Sequence, residues 1–428
     1  MSQLILSANS GSSSLKITVF EIDSDTSNND GVKAIAVSSI SNLSSSKPTF
    51  SLKFLSPPSS DASQDNGKDE KATPKDEKEE VPEINDHKSA FEHFLDRLKK
   101  NGLDVGRISH VCHRIVHGGR YQKPTEISED AMHRIEALSS LAPLHNGPAL
   151  SLIEACFALL PESQSIAYFD SVFHISIPQH ISSYAIDQKI AYEKGLKKYG
   201  FHGLSYSFIN RKVAEFIGKD ASSCNFILAH LGSGASICAI KDGKSYDTTM
   251  GLTPLDGLPG ATRSGGVDPS LIFHYTSSAG RLDQTATKDL HVTEAQQAEH
   301  ILNSNSGWKS ITGTTNFGTI ASERHSSPPH ALAWNIFVDR VIGYIGNYYV
   351  KLGGRVDALV FAGGIGEKSA DLRAEVVKKV ECIGFEVDER NESAGKEVVE
   401  WIGKNVIVCQ TDEQLEMARQ CAVSLRHW

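Results

Sequence analysis

LILSANSGSSSL (Leu4–Leu15) and, 222 positions further along, FILAHLGSGASI (Phe226–Ile237) are the two stretches that decide the fold. Laid over each other without a gap, each reads as a β-run, a patch of small residues and a second β-run. A single match of this kind is within chance, because strand–loop–strand is common. Two copies in one chain point to a duplicated domain, with a small-residue loop at the equivalent place in each half. Two such loops facing each other across a cleft would hold a polyphosphate from both sides.

Around these copies, short β-rich runs alternate with helical patterns, which indicates α/β architecture. Strands are expected at Leu4–Ser7, Lys16–Ile22, Ile108–Arg114, Ser165–Asp170, Phe226–His230, Ser236–Lys241, Lys244–Thr248, Ala358–Ala362 and Val406–Cys409. Asp242-Gly243 between two of them is a hairpin turn signal. Helices are expected at Ala90–Asn101, Pro148–Leu160, Tyr206–Gly218, Ala331–Lys351, Ser369–Ile383 and Asp412–Leu425. The last follows Thr411-Asp412-Glu413-Gln414, which has the form of a capping box.

The length of 428 residues suggests two or three domains, at ~100–200 residues each. A net charge of −9 argues against a nucleic-acid or anionic-membrane surface as the main partner. No apolar run approaches the ~18 residues of a membrane span. The N-terminus lacks the basic region and long apolar stretch of a signal peptide. The seven cysteines are scattered without a CxxC, so they read as buried thiols in a reducing, cytoplasmic setting. One segment departs from the rest. Ser56–Asn85 holds 13 charged and only four apolar residues. It reads as a disordered or weakly ordered surface insertion, within a low-complexity region spanning 42–90.

Several motifs carry chemistry. Asn9-Ser10-Gly11-Ser12-Ser13-Ser14-Leu15-Lys16 is either a phosphate cradle or a plain Ser/Gly turn; it is not a P-loop. His113-Arg114-Ile115-Val116-His117-Gly118-Gly119 puts a guanidinium at the end of a β-run, where α/β proteins bind ligands. Its fork suits a carboxylate or phosphate. Ala142-Pro143-Leu144-His145-Asn146, Tyr168-Phe169-Asp170 and Tyr199-Gly200-Phe201-His202-Gly203 add two histidines and an acid. A lone histidine is more often structural, and Asp170 at a strand end also suits a helix cap. Their value lies in occurring together. Met250–Pro269 is too rich in Gly and Pro for an element interior, and presents Arg263 from a long ordered loop. Phe361-Ala362-Gly363-Gly364-Ile365-Gly366-Glu367 follows a β-run and opens a helix, like a nucleotide-cradling turn.

Taken in order, NSGSSSLK, HRIVHGG, LAPLHN, FDSVFH, KKYGFHG, HLGSGAS, MGLTPLDGL…TRSGGVDP, FAGGIGEKSA and TDEQ resemble the acetate kinase family, within the sugar kinase, Hsp70 and actin superfamily. The resemblance implies two duplicated actin/Hsp70-like (ribonuclease H-like) α/β domains with a cleft between them. The N-terminal lobe would cover 1–173 and be joined by a C-terminal helix at 415–428; the nucleotide-binding lobe would cover 174–414. It implies reversible in-line transfer between ATP and acetate, giving acetyl phosphate and ADP, with Mg²⁺ or Mn²⁺, in a cytoplasmic homodimer.

Carried over by residue, Asn9, Ser12, Ser14 and Lys16 would line the phosphate side. Arg114 and Arg263 would hold the acetate carboxylate and the phosphoryl group, His202 with His145 behind it would stabilise the transition state, and Asp170 would organise the acetate and metal side. Val116, Leu144, Phe201 and Pro254 would form the methyl pocket. His230, Gly232, Ser233 and Gly234 would form the second phosphate loop, Gly364 and Ile365 would pack on adenosine, and Glu413 with Asn9 would hold the metal.

The sequence departs from the family at Ser233, at Pro259-Gly260-Ala261 and at Asn316-Phe317-Gly318-Thr319, which bears on donor identity more than on reaction type. A propionate or butyrate kinase, a pyrophosphate-using acetate kinase, and an actin- or Hsp70-like ATPase are the competing readings. The paired arginines favour a kinase acting on a small acid, because a bare ATPase does not need a carboxylate clamp.

Overall fold

The computed structural model describes residues 3–11, 13–23, 30–43, 45, 47–56, 76–138, 143–272 and 294–426. These residues divide into two compact units, one built from 1–172 with 412–428 and the other from 173–411. Glu413 therefore belongs to the first unit and not, as the sequence reading has it, to the second.

The first unit holds an eight-stranded sheet: β1 (Leu4–Gly11), β2 (Ser14–Ile22), β3 (Val32–Ser41), β4 (Thr49–Phe54), β5 (Glu77–Glu80), β6 (Ile108–Ile115), β7 (Thr125–Glu126) and β8 (Gln164–Phe169). Their spatial order is β5-β4-β3-β2-β1-β6-β8-β7. The second holds β9 (Phe226–Leu231), β10 (Ala235–Lys241), β11 (Lys244–Thr248), β12 (Ala358–Ala362), β13 (Glu386–Val387), β14 (Val399–Lys404) and β15 (Val406–Cys409), ordered β11-β10-β9-β12-β15-β14-β13. β3-β2-β1-β6-β8 and β11-β10-β9-β12-β15 share one topology. In each, an antiparallel three-stranded meander is extended, beyond its first strand, by two further parallel strands in succession. The internal echo is thus a duplicated five-stranded core.

Local chemistry explains the elements. Helix His87–Lys100 starts at Asp86, whose carboxylate accepts from Ser89 N, while Ser89 Oγ takes the reciprocal bond. Ala90, Phe91, Phe94, Leu95 and Leu98 form its apolar stripe. That stripe meets Leu4, Leu6 and Ala8 of β1 and Leu152 of helix Pro143–Leu159 in one buried cluster. The opposite face of the sheet is covered by the C-terminal helix Glu413–Arg426, where Met417, Ala418 and Cys421 are buried. In the β10–β11 hairpin, Asp242 and Gly243 both take positive φ, at 49° and 72°. That is the handedness a two-residue hairpin turn requires.

Three expectations are corrected. First, the low-complexity region is not all outside the fold. Thr49–Phe54 and Glu77–Glu80 pair as β4 and β5, and Val81 and Ile84 are 2% exposed in the core cluster. Those two apolar residues offset the ordering cost that the charged stretch alone cannot; residues 57–75 lie outside the described residues. Second, the strands run further into the NSGSSS and LGSGAS loops than the expected ends at Ser7, Lys16, His230 and Ser236, which makes both loops tight hairpin ends. β1 and β2 pair as far as Gly11 with Ser14, and β9 and β10 as far as Leu231 with Ala235. Third, six of the seven cysteines are buried, but Cys382 is exposed; none is in a disulfide. Among the described residues no helix is long and apolar enough to cross a membrane.

Candidate active site

In the first unit, the parallel strands deliver their C-terminal ends to one place. Arg114, next to last in β6, makes a forked pair with Asp170 at the end of β8: Nη2 to Oδ2 at 2.8 Å and Nε to Oδ1 at 3.3 Å. Its Nη1 lies 2.7 Å from Glu413 Oε2, at the first turn of the C-terminal helix. Asn9 Nδ2 donates to the same Oε2 at 2.9 Å. Asp170 is fully buried, and the side chains of Arg114 and Glu413 are 15% and 13% exposed. Burial would push the guanidinium pKa down, but the charges of Asp170 and Glu413 outweigh it and hold the pKa above its ordinary value. Asp170, expected among the catalytic groups, accepts both bonds of the Arg114 fork.

The turn after β6 is fixed by Asn146, whose amide takes the His117 N–H and donates to the His117 carbonyl, each at 3.3 Å. Sequence reasoning quoted Asn146 without giving it this role; its place beside HRIVHGG is visible only in three dimensions. A Cβ at Gly118 would sit 2.7 Å from Phe169 Cβ, which explains the glycine. Lys16 is exposed and pairs across the hairpin with Asn9, while Ser14 is half-buried opposite Gly11 and Val116 half-buried just past β6. Ser12 lies outside the described residues. Leu144 and His145 fall in helix Pro143–Leu159, and their side chains lie outside the described residues.

In the second unit, His202 precedes helix Gly203–Ile217 with φ +58°, a left-handed conformation unusual for a residue with a Cβ. The turn is pinned on both sides. His174 Nε2 lies 2.9 Å from the Phe201 carbonyl, and Lys198 Nζ lies 2.7 Å from the buried Asp247. His202 Nδ1 is 2.8 Å from Ser236 Oγ, and its ring stacks on His230 with centroids 4.2 Å apart. Phe201 and Pro254 are buried in this unit.

Arg263 is partly buried and donates to the Pro254 carbonyl at 3.0 Å. With no carboxylate in that bond, burial pushes its pKa down. It lies over the tight turn Gly232-Ser233-Gly234: a Cβ on Gly234 would come within 3.0 Å of Arg263 Nη2. The two departures around it are in contact. Ala261 N donates to the Ser233 carbonyl at 2.8 Å, and a Cβ on Gly260 would stand 2.6 Å from that same oxygen. Ser233 and the Gly260-Ala261 pair are therefore one local solution.

β12 ends at Ala362, and the next residue, Gly363, has φ +74°, where a Cβ would meet the Leu231 carbonyl at 2.8 Å. The helix Gly363–Lys368 follows, and Glu367 Oε1 accepts from both Gly363 N and Thr411 N. Beside it opens a pocket of about 620 Å³, lined among others by Gly364, Ile365, Asn316, Gly318 and Lys368. Phe317, within the departure from the family pattern, lines this pocket as well, while its ring stacks on Trp334 in the core. Asn316 caps the helix Phe317–Glu323 through Gly318 N. The form of a capping box at Thr411 is also corrected: Asp412 caps the helix through Leu415 N, and Thr411 Oγ1 meets Ser205 Oγ at 2.7 Å.

Each unit by itself holds a fixed cation and a tight glycine-containing turn, and the second adds a pocket of about 620 Å³; phosphoryl transfer uses parts of this kind. The comparisons agree. The model of the acetokinase family matches residues 4–419. A probable acetate kinase of Emericella nidulans is 47% identical over 97% of each chain, and one of Neurospora crassa is 45% identical over all of this chain and 95% of its own. Among solved structures, a propionate kinase from Francisella tularensis superposes with a TM-score of 0.81 at 31% identity, covering 98% of both chains. Porphyromonas gingivalis acetate kinase gives 0.80 at 29% identity, covering 99% of this chain and all of that one. With the duplicated core, the motifs in their order and a family match across nearly the whole length, this chain belongs to the acetokinase family.

Proposed function

We propose that this chain catalyses reversible in-line phosphoryl transfer between ATP and the carboxylate of acetate, forming acetyl phosphate and ADP. The observation that carries it is the Arg114 guanidinium clamped by Asp170 and Glu413. The two carboxylates fix the guanidinium and keep it charged; three of its five N–H groups meet them, and the other two suit a carboxylate or phosphoryl oxygen. Acetate is an anion at neutral pH and needs no general base, so the protein's work is positioning and charge stabilisation. Arg114 and Arg263 bind the carboxylate and the phosphoryl oxygens; His202 stabilises the charge that develops on them. Val116, Leu144, Phe201 and Pro254 take the methyl group. Gly232-Ser233-Gly234 approaches the phosphates, and the pocket at Gly364 and Ile365 takes the nucleoside.

A divalent ion, Mg²⁺ first, fits the oxygen donors of Glu413 and Asn9. Mg²⁺ uses one or two carboxylates and keeps several waters. When bound, the ion supplies charge neutralisation at the phosphates. A homodimer in the cytoplasm goes with this reading.

Hydroxamate trapping of acyl phosphate, with acetate and ATP, tests the proposal: product that depends on both substrates is expected, and none with any nucleotide or pyrophosphate donor overturns it. The similarity to a propionate kinase favours including propionate. A higher kcat/KM for propionate than for acetate moves the assignment to that acid.

A further inference from the structure

Behind His202 runs a buried chain of hydroxyls. Tyr206 Oη lies 2.5 Å from Ser236 Oγ, and Ser236 Oγ lies 2.8 Å from His202 Nδ1. Tyr206 stands one helical turn after His202, and Ser236 faces His230 across the β9–β10 pair. Tyr206 and Ser236 are both 0% exposed.

The direction of the chain follows from its donors and acceptors. The phenol oxygen of Tyr206 accepts from the backbone N–H of His230, and burial pushes its pKa up, so it keeps its proton. That proton has Ser236 Oγ as its acceptor. Ser236 then gives its own proton to His202 Nδ1. In the reverse arrangement Nδ1–H would donate to Ser236, and Ser236 would donate to Tyr206. The buried phenol proton would then point at no acceptor, an unfavourable outcome for a fully desolvated donor.

We propose that Tyr206 and Ser236 are positioning residues that hold neutral His202 as its Nε2–H tautomer, so that the ring offers an N–H donor to the transferring phosphoryl group. The tautomer of a histidine is set by the bond its other nitrogen makes. A donor stabilises negative charge developing on phosphoryl oxygens, whereas a lone pair at the same place would oppose it. Two further features hold the ring in orientation. His230 is stacked against it, and His230 Nδ1 is in turn 2.7 Å from Ser205 Oγ. The left-handed backbone at His202 persists because the His174–Phe201 bond pins the turn. The assignment of the donor to the phosphoryl group rests on the function proposed above.

The test is the long-range ¹H–¹⁵N spectrum of the full-length protein labelled at histidine, with the His202 signals assigned by their loss in His202→Gln. Wild type is expected to show a protonated Nε2 and an unprotonated Nδ1. Tyr206→Phe and Ser236→Ala should lose that preference and lower kcat about tenfold, the effect of one lost hydrogen bond. KM for acetate and ATP should stay within about twofold. Ser236→Thr, which keeps the hydroxyl, should retain both tautomer and rate. A protonated Nδ1 in wild type, or an unchanged spectrum in both Tyr206→Phe and Ser236→Ala, overturns the proposal. Should either variant fail to fold, the wild-type spectrum alone decides. The spectrum is read without turnover, so absent kinase activity beside an intact Nε2–H tautomer would count against the proposed reaction and not against the hydroxyl chain.

Discussion

Asn9 Nδ2 donates to Glu413 Oε2 at 2.9 Å across 404 positions of the chain. The pair joins the end of β1 to the first turn of the C-terminal helix, both in the first unit. Because Arg114 Nη1 meets the same oxygen, one carboxylate oxygen collects two donors from two different strands. A carboxylate in a helix's first turn is also favoured by the macrodipole, by about 0.3–1 kcal/mol.

Glu413→Gln keeps the shape of this junction and removes its charge. Asp170 still neutralises Arg114, so Tm should fall by only about 2–4 °C. The Mg²⁺ concentration for half-maximal rate should rise about tenfold or more if Glu413 helps hold the ion. Metal titration of the rate checks it; an unchanged half-saturating concentration removes Glu413 from the metal site.

Arg114→Ala and Arg263→Ala should each lower kcat about 10²–10³-fold, since each removes charge stabilisation at the phosphoryl group. Their effects on stability should differ. Arg114→Ala removes the cation facing the buried Asp170 carboxylate and should cost about 3–5 kcal/mol. Arg263 is bonded to a carbonyl and penalised by burial, so its loss should leave Tm within about 2 °C. Thermal unfolding beside steady-state rates separates the two. Equal destabilisation would mean that Arg263 has a structural partner of its own.

Val81 and Ile84 fasten the end of the charged stretch to the core. Replacing both with Ser should cost about 3–5 kcal/mol, on the scale of burying two aliphatic side chains. Deleting residues 57–75, whose only apolar residues besides prolines are Ala62 and Ala72, should change Tm by less than about 2 °C. Denaturant midpoints of the two variants check this; a deletion as damaging as the double substitution would give 57–75 a packing role.

His113 is buried in β6, 1% exposed, with Nε2 bonded to Ser165 Oγ at 3.1 Å and no partner for Nδ1. Burial pushes its pKa down to about 3. The unfolded chain takes up a proton near pH 6.5 and the folded one does not. Stability from this residue is therefore full above pH 6.5 and is lost progressively as pH falls toward 3. Between pH 7 and pH 5 the loss is about 2 kcal/mol. In His113→Gln that slope should flatten, seen in urea midpoints at the two pH values; an identical slope would place the acid sensitivity elsewhere.

The internal echo, the Asp242-Gly243 turn, the helices and the order of the motifs were legible in the sequence because each rests on short-range chemistry. Period-2 and period-3.6 patterning and turn residues act within a dozen positions. The role of Arg114 was legible as a cation at a strand end. Its partners were not, since Asp170 and Glu413 lie 56 and 299 positions away and only the sheet's strand order brings them together.

The insertion shows the same limit from the other side. Val81 and Ile84 are two apolar residues in a charged stretch, and composition averages them away. The fold decides that they reach the core and that Glu77–Glu80 finds β4 as a partner. Tyr206 and Ser236 read as ordinary helix and strand residues; a hydroxyl gains its meaning from the atom it meets, and that atom belongs to another element. What the sequence determined by itself is the duplicated α/β core and the residue types at its strand ends. Which of those residues face one another was decided by tertiary structure alone, because side-chain pairing depends on distances that local patterning does not encode.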